Sequence, residues 1–342
     1  MARLAWIISL LMAPIVKRSL LGSAASLMLL YMAWEFYMLQ PSSLEEYPVI
    51  FEPLNMEILG SLSDWEMPNR RPEFSDLPAM KTLDPAFLPD YEQSFFSFRR
   101  RRLVFIGDVH GCFDELEELL RKISLTRRDH LIFTGDMINK GPQSGKVVDL
   151  ARQLGASCVQ GNHEDRILLI RTDLQSRGIL DSGSVNAYDL PAYDWNDRQL
   201  ARSLADDQAA WLQECPAILK IGQVKDMGEV VVVHGGLHPA VPLEQQELTS
   251  VMSTKTTFYR AFPWFRVYNQ LNMLLLQGSI VPAPPYTNLT TVIYGGQSFE
   301  IRQYTKGLNS GCVHGGDLTA LIIEDGGKSQ VVQVRCKKHV QS

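Results

Sequence analysis

The strongest constraint on how this chain folds is a three-part unit that recurs along it: a short apolar run, a glycine-flanked polar loop, then a stretch with helical periodicity. Leu103-Val-Phe-Ile106 runs into Gly107-Asp-Val-His-Gly111, and then into Phe113, Leu116, Leu119, Leu120 and Ile123, which share one helical face. Leu131-Ile-Phe133 runs into Gly135-Asp136, and Gly141-Pro142 opens a helix through Val147, Val148 and Leu154. Ser157-Cys-Val159 runs into Gly161-Asn-His-Glu164 and then Ile167 to Ile170. Further on, Glu229 to Val233 delivers His234-Gly-Gly236, and Thr291 to Tyr294 delivers Gly295-Gly296. Apolar strands alternating with helices predict an α/β domain around a largely buried, mostly parallel sheet.

Polar residues placed just past the strand ends of such a sheet converge on one crevice. Asp108, His110, Asp136, Asn162, His163 and His234 are therefore expected to meet. Carboxylate oxygens and imidazole nitrogens suit borderline divalent cations, and one carboxylate can bridge two of them about 3.5 to 4 Å apart. Asp136 is the natural bridge. Asp108 and His110, one residue apart, complete a first metal site with it, and Asn162 and His234 complete a second. His163 is placed to give a proton to a leaving oxygen. A single Gly-Asp-x-His-Gly or a lone histidine also fits ordinary packing, but four such loops in order do not.

Composition supports this reading without sharpening it. The 342 residues are 45% hydrophobic and carry a net charge of −5, enough for one large domain with extensions and without the basic excess of a general nucleic-acid binder. The five cysteines are scattered, odd in number and free of CxxC pairs. They read as small buried hydrophobes rather than a disulfide framework. His130, at the start of a strand, and His339, in the basic tail, read as structural or solvated. Trp195, Trp211 and Trp264, with the region Asp173 to Gln213, are expected to form a helical insertion over the sheet.

Ahead of the domain, residues 19–39 are apolar or small apart from Glu35, long enough at about 1.5 Å per residue to cross a bilayer core of about 30 Å. Tyr31, Trp34 and Tyr37 gather at the end suited to a headgroup layer. Arg3, Lys17 and Arg18 precede this span, and Glu45 and Glu46 follow it. The basic flank predicts a signal anchor with residues 1–18 cytosolic and the remainder luminal or exoplasmic. A cleaved signal peptide is the alternative. Residues 40–98, rich in Pro, Ser and acidic side chains, are expected to be a linker, and residues 99–342 the domain. Asn288-Leu-Thr is a glycosylation sequon in that orientation.

The ordered series GDVHG, GDMINKGP, GNHE and HGG, with the tail GLNSGCVHGGDLTALIIE, resembles the phosphoprotein-phosphatase branch of calcineurin-like metallophosphoesterases over roughly residues 102–335. The resemblance implies a β-sandwich flanked by helices. Asn139, Lys140, Gly141 and Pro142 look like the ApaH-like type, the symmetrical dinucleoside-tetraphosphate hydrolases. With the N-terminal anchor added, the chain resembles fungal vacuolar endopolyphosphatases. That implies hydrolysis of phosphoanhydride bonds in inorganic polyphosphate by a hydroxide bound to two divalent metals (Zn, Mn, Fe or Co), in a domain facing the vacuolar lumen. The same resemblance gives Lys140 and Asn162 to substrate binding, Asp108, His110, Asp136, Asn162 and His234 to the metals, and His163 with Asp136 to catalysis.

Three departures stand out. Gly296 occupies the position where the family places a histidine ligand, which weakens the second metal site, and Asn309 stands where aspartate is usual. The orienting carboxylate that the family places beside the catalytic histidine is replaced by Asn139. The alternatives to an endopolyphosphatase are therefore a protein or dinucleoside-polyphosphate phosphatase, or a catalytically weakened relative that binds polyphosphate.

Overall fold

The structure, a computed structural model, describes residues 77–89, 101–180, 195–239, 241–253, 257–258, 262–276 and 290–340. The expected cytosolic segment 1–18, the span 19–39, the sequon at Asn288 and all of the linker except residues 77–89 lie outside the described residues. Among the described residues no helix is long and apolar enough to cross a membrane.

Two sheets carry the domain. One orders its strands β13 (Ser329–Arg335), β12 (Asp317–Glu324), β2 (Arg102–Ile106), β3 (His130–Phe133) and β4 (Ser157–Cys158). The other orders β1 (Met80–Thr82), β5 (Ile218–Val224), β6 (Gly228–Val233), β9 (Thr290–Ser298), β11 (Thr305–Asn309) and β10 (Glu300–Ile301). A short hairpin, β7 (Thr257–Phe258) with β8 (Phe262–Pro263), stands apart. Alternate side chains of the two sheets meet between them: Leu103 and Phe105 of β2 and Leu321 of β12 pack with Leu219 of β5, Val230 and Val232 of β6, and Ile293 of β9. Each such buried aliphatic or aromatic side chain contributes about 1.5–3 kcal/mol.

The opposite faces are covered by helices, which explains why the strands are apolar on both sides. Val104, Ile106, Leu131 and Phe133 pack against α1 (Phe113–Lys122), α2 (Ser144–Gln153) and α3 (Asn162–Ser176). Helix α1 carries Asp114 and Glu115 in its first turn and Arg121 and Lys122 in its last, matching the helix dipole at both ends. In the insertion, α4 (Trp195–Ser203) and α5 (Asp206–Gln213) join the same layer, through Ala201, Ala209 and Leu212. On the far sheet, Val231, Val233, Val292 and Tyr294 pack with Trp264 and Phe265 of α7 (Trp264–Leu276); the short α6 (Leu248–Ser253) adds Val251 and Met252.

The fold is thus an α/β sandwich with mixed sheets, less parallel than the repeated strand-loop-helix pattern suggests. Strands β2, β3 and β4 are mutually parallel, as are β6, β9 and β11, and these deliver the polar loops. The antiparallel pairs come from the hairpin β5–β6, from β10 against β11, and from β12, which runs against both β2 and β13. Residues 80–82, in the stretch expected as linker, add an edge strand parallel to β5, and Phe87 stacks on His130 at 3.9 Å between ring centres.

The cysteine reading requires correction. Cys158 bonds to Cys215 and Cys312 to Cys336, leaving Cys112 as a buried free thiol. Partners lie 57 and 24 residues apart, so neither bond leaves a short-range spacing pattern.

Candidate metal centre

The loops after β2, β3, β4 and β6 meet at one edge of the two sheets, and Asp136 lies at their centre. Its Oδ2 is 3.5 Å from His110 Nε2, 3.3 Å from His234 Nε2 and 4.0 Å from His163 Nε2. Asp108, His110, Asp136 and His234 are all buried. Two ligand-type groups result, His110–Asp136–His163 and Asp108–Asp136–His234, sharing Asp136. Asp108 and His110, paired on one metal in the sequence reading, fall in different groups here, both built on Asp136. Asn162, exposed at the first turn of α3, borders these groups through its chain neighbour His163, whose N–H donates to Asp136 Oδ1 at 3.1 Å.

The backbone here is bent in ways that side chains normally avoid. His110, Asp136, Asn139 and Lys140 all have positive φ, from 47° to 74°. Such strain persists only where the surroundings over-determine it. Glu164, fully buried in the first turn of α3, supplies much of that determination. One of its oxygens accepts the N–H groups of Asp136 (2.8 Å) and Gly161 (2.9 Å), and the other those of Met137 (2.7 Å) and Ile138 (3.1 Å). Gly161 must be glycine for a steric reason, since a Cβ there would lie 2.2 Å from Asp136 Oδ1.

Both flanking imidazoles are oriented from behind. His234 Nδ1 donates to the Thr134 carbonyl at 2.8 Å and His110 Nδ1 to the Ile138 carbonyl at 3.2 Å, so each turns Nε2 inward. This arrangement is characteristic of metal-ligating histidines. His110 Nε2 receives the Lys140 ammonium at 3.0 Å, while His234 Nε2, although close to Asp136, is buried without a hydrogen-bond partner. A buried imidazole nitrogen beside two carboxylates and without a hydrogen-bond partner is a position that a divalent cation would fill in place of a proton.

Electrostatics point the same way. Burial, together with the Asp136 charge and against the pull of His234, raises Asp108 to about 7. Burial and Asp136 likewise raise Glu164 to about 7, against its backbone hydrogen bonds. Burial drives His110 down to about 3, with Lys140 adding to the fall and Asp136 opposing it. His234 is lifted to about 10 because Asp136 and Asp108 outweigh its burial. Asp136 is held well below the usual carboxylate range, the histidines overcoming its burial. Two buried carboxylates that resist ionising together form a site short of positive charge, and the residues present therefore fit a pair of divalent metals.

Gly296 lies where the sequence places it. A Cβ built on it would sit 3.1 Å from His234 Nε2, so a longer side chain there would enter the cluster, and its φ of +45° favours glycine. Its N–H donates to Asp108 Oδ1 at 3.1 Å, and Asn309 Nδ2 donates to Asp108 Oδ2 at 2.7 Å. Both residues line an open cavity of about 840 Å³ with Gln297, Ser298 and Phe299. His314, bridged to Lys338, stays outside the cluster. A third ligand-type group, Cys112–Glu115–His339, binds the C-terminal segment instead: Glu115 Oε1 accepts the Lys337 N–H at 3.2 Å, and burial pushes the Cys112 thiol up to about 12.

Sequence reasoning missed Glu164 as a clamp, Thr134 as the His234 anchor and Asp197 altogether. Glu164 stands inside the quoted GNHE motif. Thr134, just after β3, and Asp197, in α4, carry no local signal.

A carboxylate-bridged pair of ligand groups at the ends of parallel strands in a two-sheet α/β sandwich defines a metal-dependent phosphoesterase centre. The family model for calcineurin-like phosphoesterases matches residues 101–278, and the chain belongs to that family. Among curated relatives, the symmetrical bis(5'-nucleosyl)-tetraphosphatase of Hamiltonella defensa is 35% identical over 137 residues, 39% of this chain and 44% of that protein. The Baumannia cicadellinicola protein of the same description is 26% identical over 286 residues, 68% of this chain and 92% of that one. The Serratia proteamaculans counterpart is 32% identical over 146 residues, 42% of this chain and 46% of the other. The chain thus spans less than half the length of the Hamiltonella and Serratia relatives. A crystal structure of a candidate diadenosine tetraphosphatase matches 76% of this chain and 99% of its own at 27% identity, with a TM-score of 0.54. These relatives bear the dinucleoside-tetraphosphatase description, not the endopolyphosphatase one that the anchor and motifs together suggested.

Proposed function

We propose that this domain hydrolyses the phosphoanhydride bonds of dinucleoside polyphosphates, in place of the inorganic polyphosphate expected from the sequence. The observation that carries the reading is Asp136, whose Oδ2 lies within 4.0 Å of three imidazole Nε2 atoms. The substrate class follows the described activity of the relatives. Asp108, Asp136 and His234 would hold one divalent ion, and His110 with Asp136 the other, joined by the Asn162 amide at the rim. Bound there, such ions supply Lewis acidity toward the phosphoryl oxygens and activate the attacking water.

The chain's own groups do the rest. Lys140, beside His110, brings a compact positive charge to a phosphate oxygen. Asn162, exposed at the N-terminal turn of the 15-residue helix α3, offers its amide to a second one. Burial, Lys140 and His234 lower the half-buried His163 at the rim below the usual imidazole range, against the pull of Asp136. The His163 Nε2–H stands to hydrogen-bond the departing oxygen. The cavity beside Gly296 has room for the part of a substrate that extends beyond the cleaved bond. The two disulfides support an oxidising compartment for the domain, in keeping with the luminal orientation expected from the basic flank at Arg3, Lys17 and Arg18.

The test is a side-by-side assay of the full chain with Mn²⁺ against a dinucleoside tetraphosphate, long-chain polyphosphate and a phosphopeptide. The expected result is preferred cleavage of the first into two nucleoside diphosphates, abolished by Asp136→Asn. Faster shortening of polyphosphate would return the substrate to the alternative reading.

A further inference from the structure

His163 can donate a hydrogen bond to a leaving oxygen only if Nε2, the nitrogen facing Asp136, carries a proton. Which nitrogen does so is decided by the partner of the other one. Here His163 Nδ1 lies 3.0 Å from Asn139 Nδ2. The orientation of that amide is fixed from two sides. Its Oδ1 accepts the Lys140 N–H at 2.7 Å, and its Nδ2 donates to Asp197 Oδ1 at 2.9 Å. A flipped amide would set oxygen against the carboxylate and NH₂ against an N–H, losing both bonds. The second Nδ2 hydrogen is therefore left for His163 Nδ1, which must accept it.

Asp197 is the origin of this chain of contacts. It sits in the first turn of α4 at 6% exposure, and its other oxygen takes Arg166 Nε at 2.6 Å. Asn139, at φ 74° and 8% exposed, is held in a conformation it would not adopt unaided. An insertion helix thus reaches into the centre through one buried amide.

We infer that Asp197 is a positioning residue for the reaction: through the Asn139 amide it locks His163 in the tautomer whose Nε2–H faces the bridging carboxylate and the substrate. The inference gives the Asn139 substitution a purpose. The carboxylate is moved one link away from the imidazole, and the amide between them turns Nδ1 from a donor into an acceptor. This also separates His163 from His110 and His234, whose Nδ1 atoms donate to backbone carbonyls. The kinetic consequence rests on the hydrolase reading above; the tautomer does not.

The experiment uses the full chain, zinc-loaded and labelled with ¹⁵N-histidine, with the His163 resonances assigned from their loss in His163→Gln. In the parent protein His163 Nδ1 is expected at the unprotonated position and Nε2 at the protonated one. Asp197→Ala should shift both toward a mixture of tautomers and lower kcat roughly tenfold or more, with KM within about twofold. Asp197→Asn, which keeps an oxygen for the Asn139 amide, should stay close to the parent. Asn139→Gly suits the positive φ and leaves the Asp197–Arg166 pair intact, so it should reproduce Asp197→Ala even if the latter folds poorly. An unchanged His163 spectrum in Asn139→Gly, or a protonated Nδ1 in the parent, would overturn the inference. If the dinucleoside substrate is not turned over at all, the functional reading fails while the tautomer shifts still decide this one.

Discussion

Replacing Glu164 with glutamine removes one negative oxygen from the centre of the backbone clamp, and the loss can be worked out bond by bond. Each Glu164 oxygen accepts two buried N–H groups, one the pair from Asp136 and Gly161, the other the pair from Met137 and Ile138. A glutamine keeps one oxygen and turns an NH₂ toward the other pair, leaving two buried donors facing a donor. An unsatisfied buried group costs about 1–3 kcal/mol, so Glu164→Gln should destabilise the domain by about 2–6 kcal/mol. Relaxation would move Asp136, whose positive φ the clamp enforces, so metal retention should fall as well. The assay is urea unfolding followed by tryptophan fluorescence at pH 8, above the value of about 7 to which Glu164 is raised, with metal content measured in parallel. Glu164→Asp, with both oxygens on a shorter stem, should fall between. A loss under about 1 kcal/mol with metal retained would refute the claim that these four N–H bonds hold the loop.

Gly296→His should destabilise the metal-free protein by about 1–2 kcal/mol, because a side chain is forced into the left-handed region. The new imidazole beside His234 should raise metal affinity roughly tenfold or more, which thermal unfolding with and without Zn²⁺ would register. Replacing Cys158 and Cys215 with serine opens a 57-residue loop and should lower stability by about 4 kcal/mol on the chain-entropy account, read from urea midpoints against the oxidised, disulfide-intact parent. His130 is lowered to about 4 by burial. Below about 6.5 the unfolded chain takes a proton that the folded one refuses, so the stability present above that pH is lost as pH falls toward 4. His130→Phe keeps a ring against Phe87 and should flatten the unfolding midpoint between pH 7 and 4.5; an unchanged acid limb would argue that other groups set it.

The residues at the centre were legible because the chemistry requires residue types that local spacing displays. Asp108 and His110 follow a strand by a few positions, and glycines such as Gly161 mark where backbone must approach a carboxylate. What supports them is not local. Asp197 lies 58 positions from Asn139, in an insertion whose helices show only an apolar face, and its partner is an amide that fits many other uses. The disulfides fail for the same reason, since Cys158 and Cys215 are neighbours only once β4 and β5 are in place. Strand direction was half legible. The repeated loops predict β2, β3 and β4 as parallel, but nothing in the run Leu318 to Ile323 says that β12 inserts antiparallel beside β2. Spacing likewise does not show which ligands group together: Asp108 and His110 are two positions apart, yet they fall in different ligand-type groups that share Asp136.

Metal content per chain tests the central claim most directly. The full chain, loaded with Zn²⁺ or Mn²⁺ and exhaustively dialysed, would be compared with Asp136→Asn by elemental analysis at matched folded fraction. A shared bridging carboxylate predicts close to two ions per chain in the parent, the second held more weakly, and loss of both together in Asp136→Asn. Two ions retained in that variant, or none in the parent, would contradict the account.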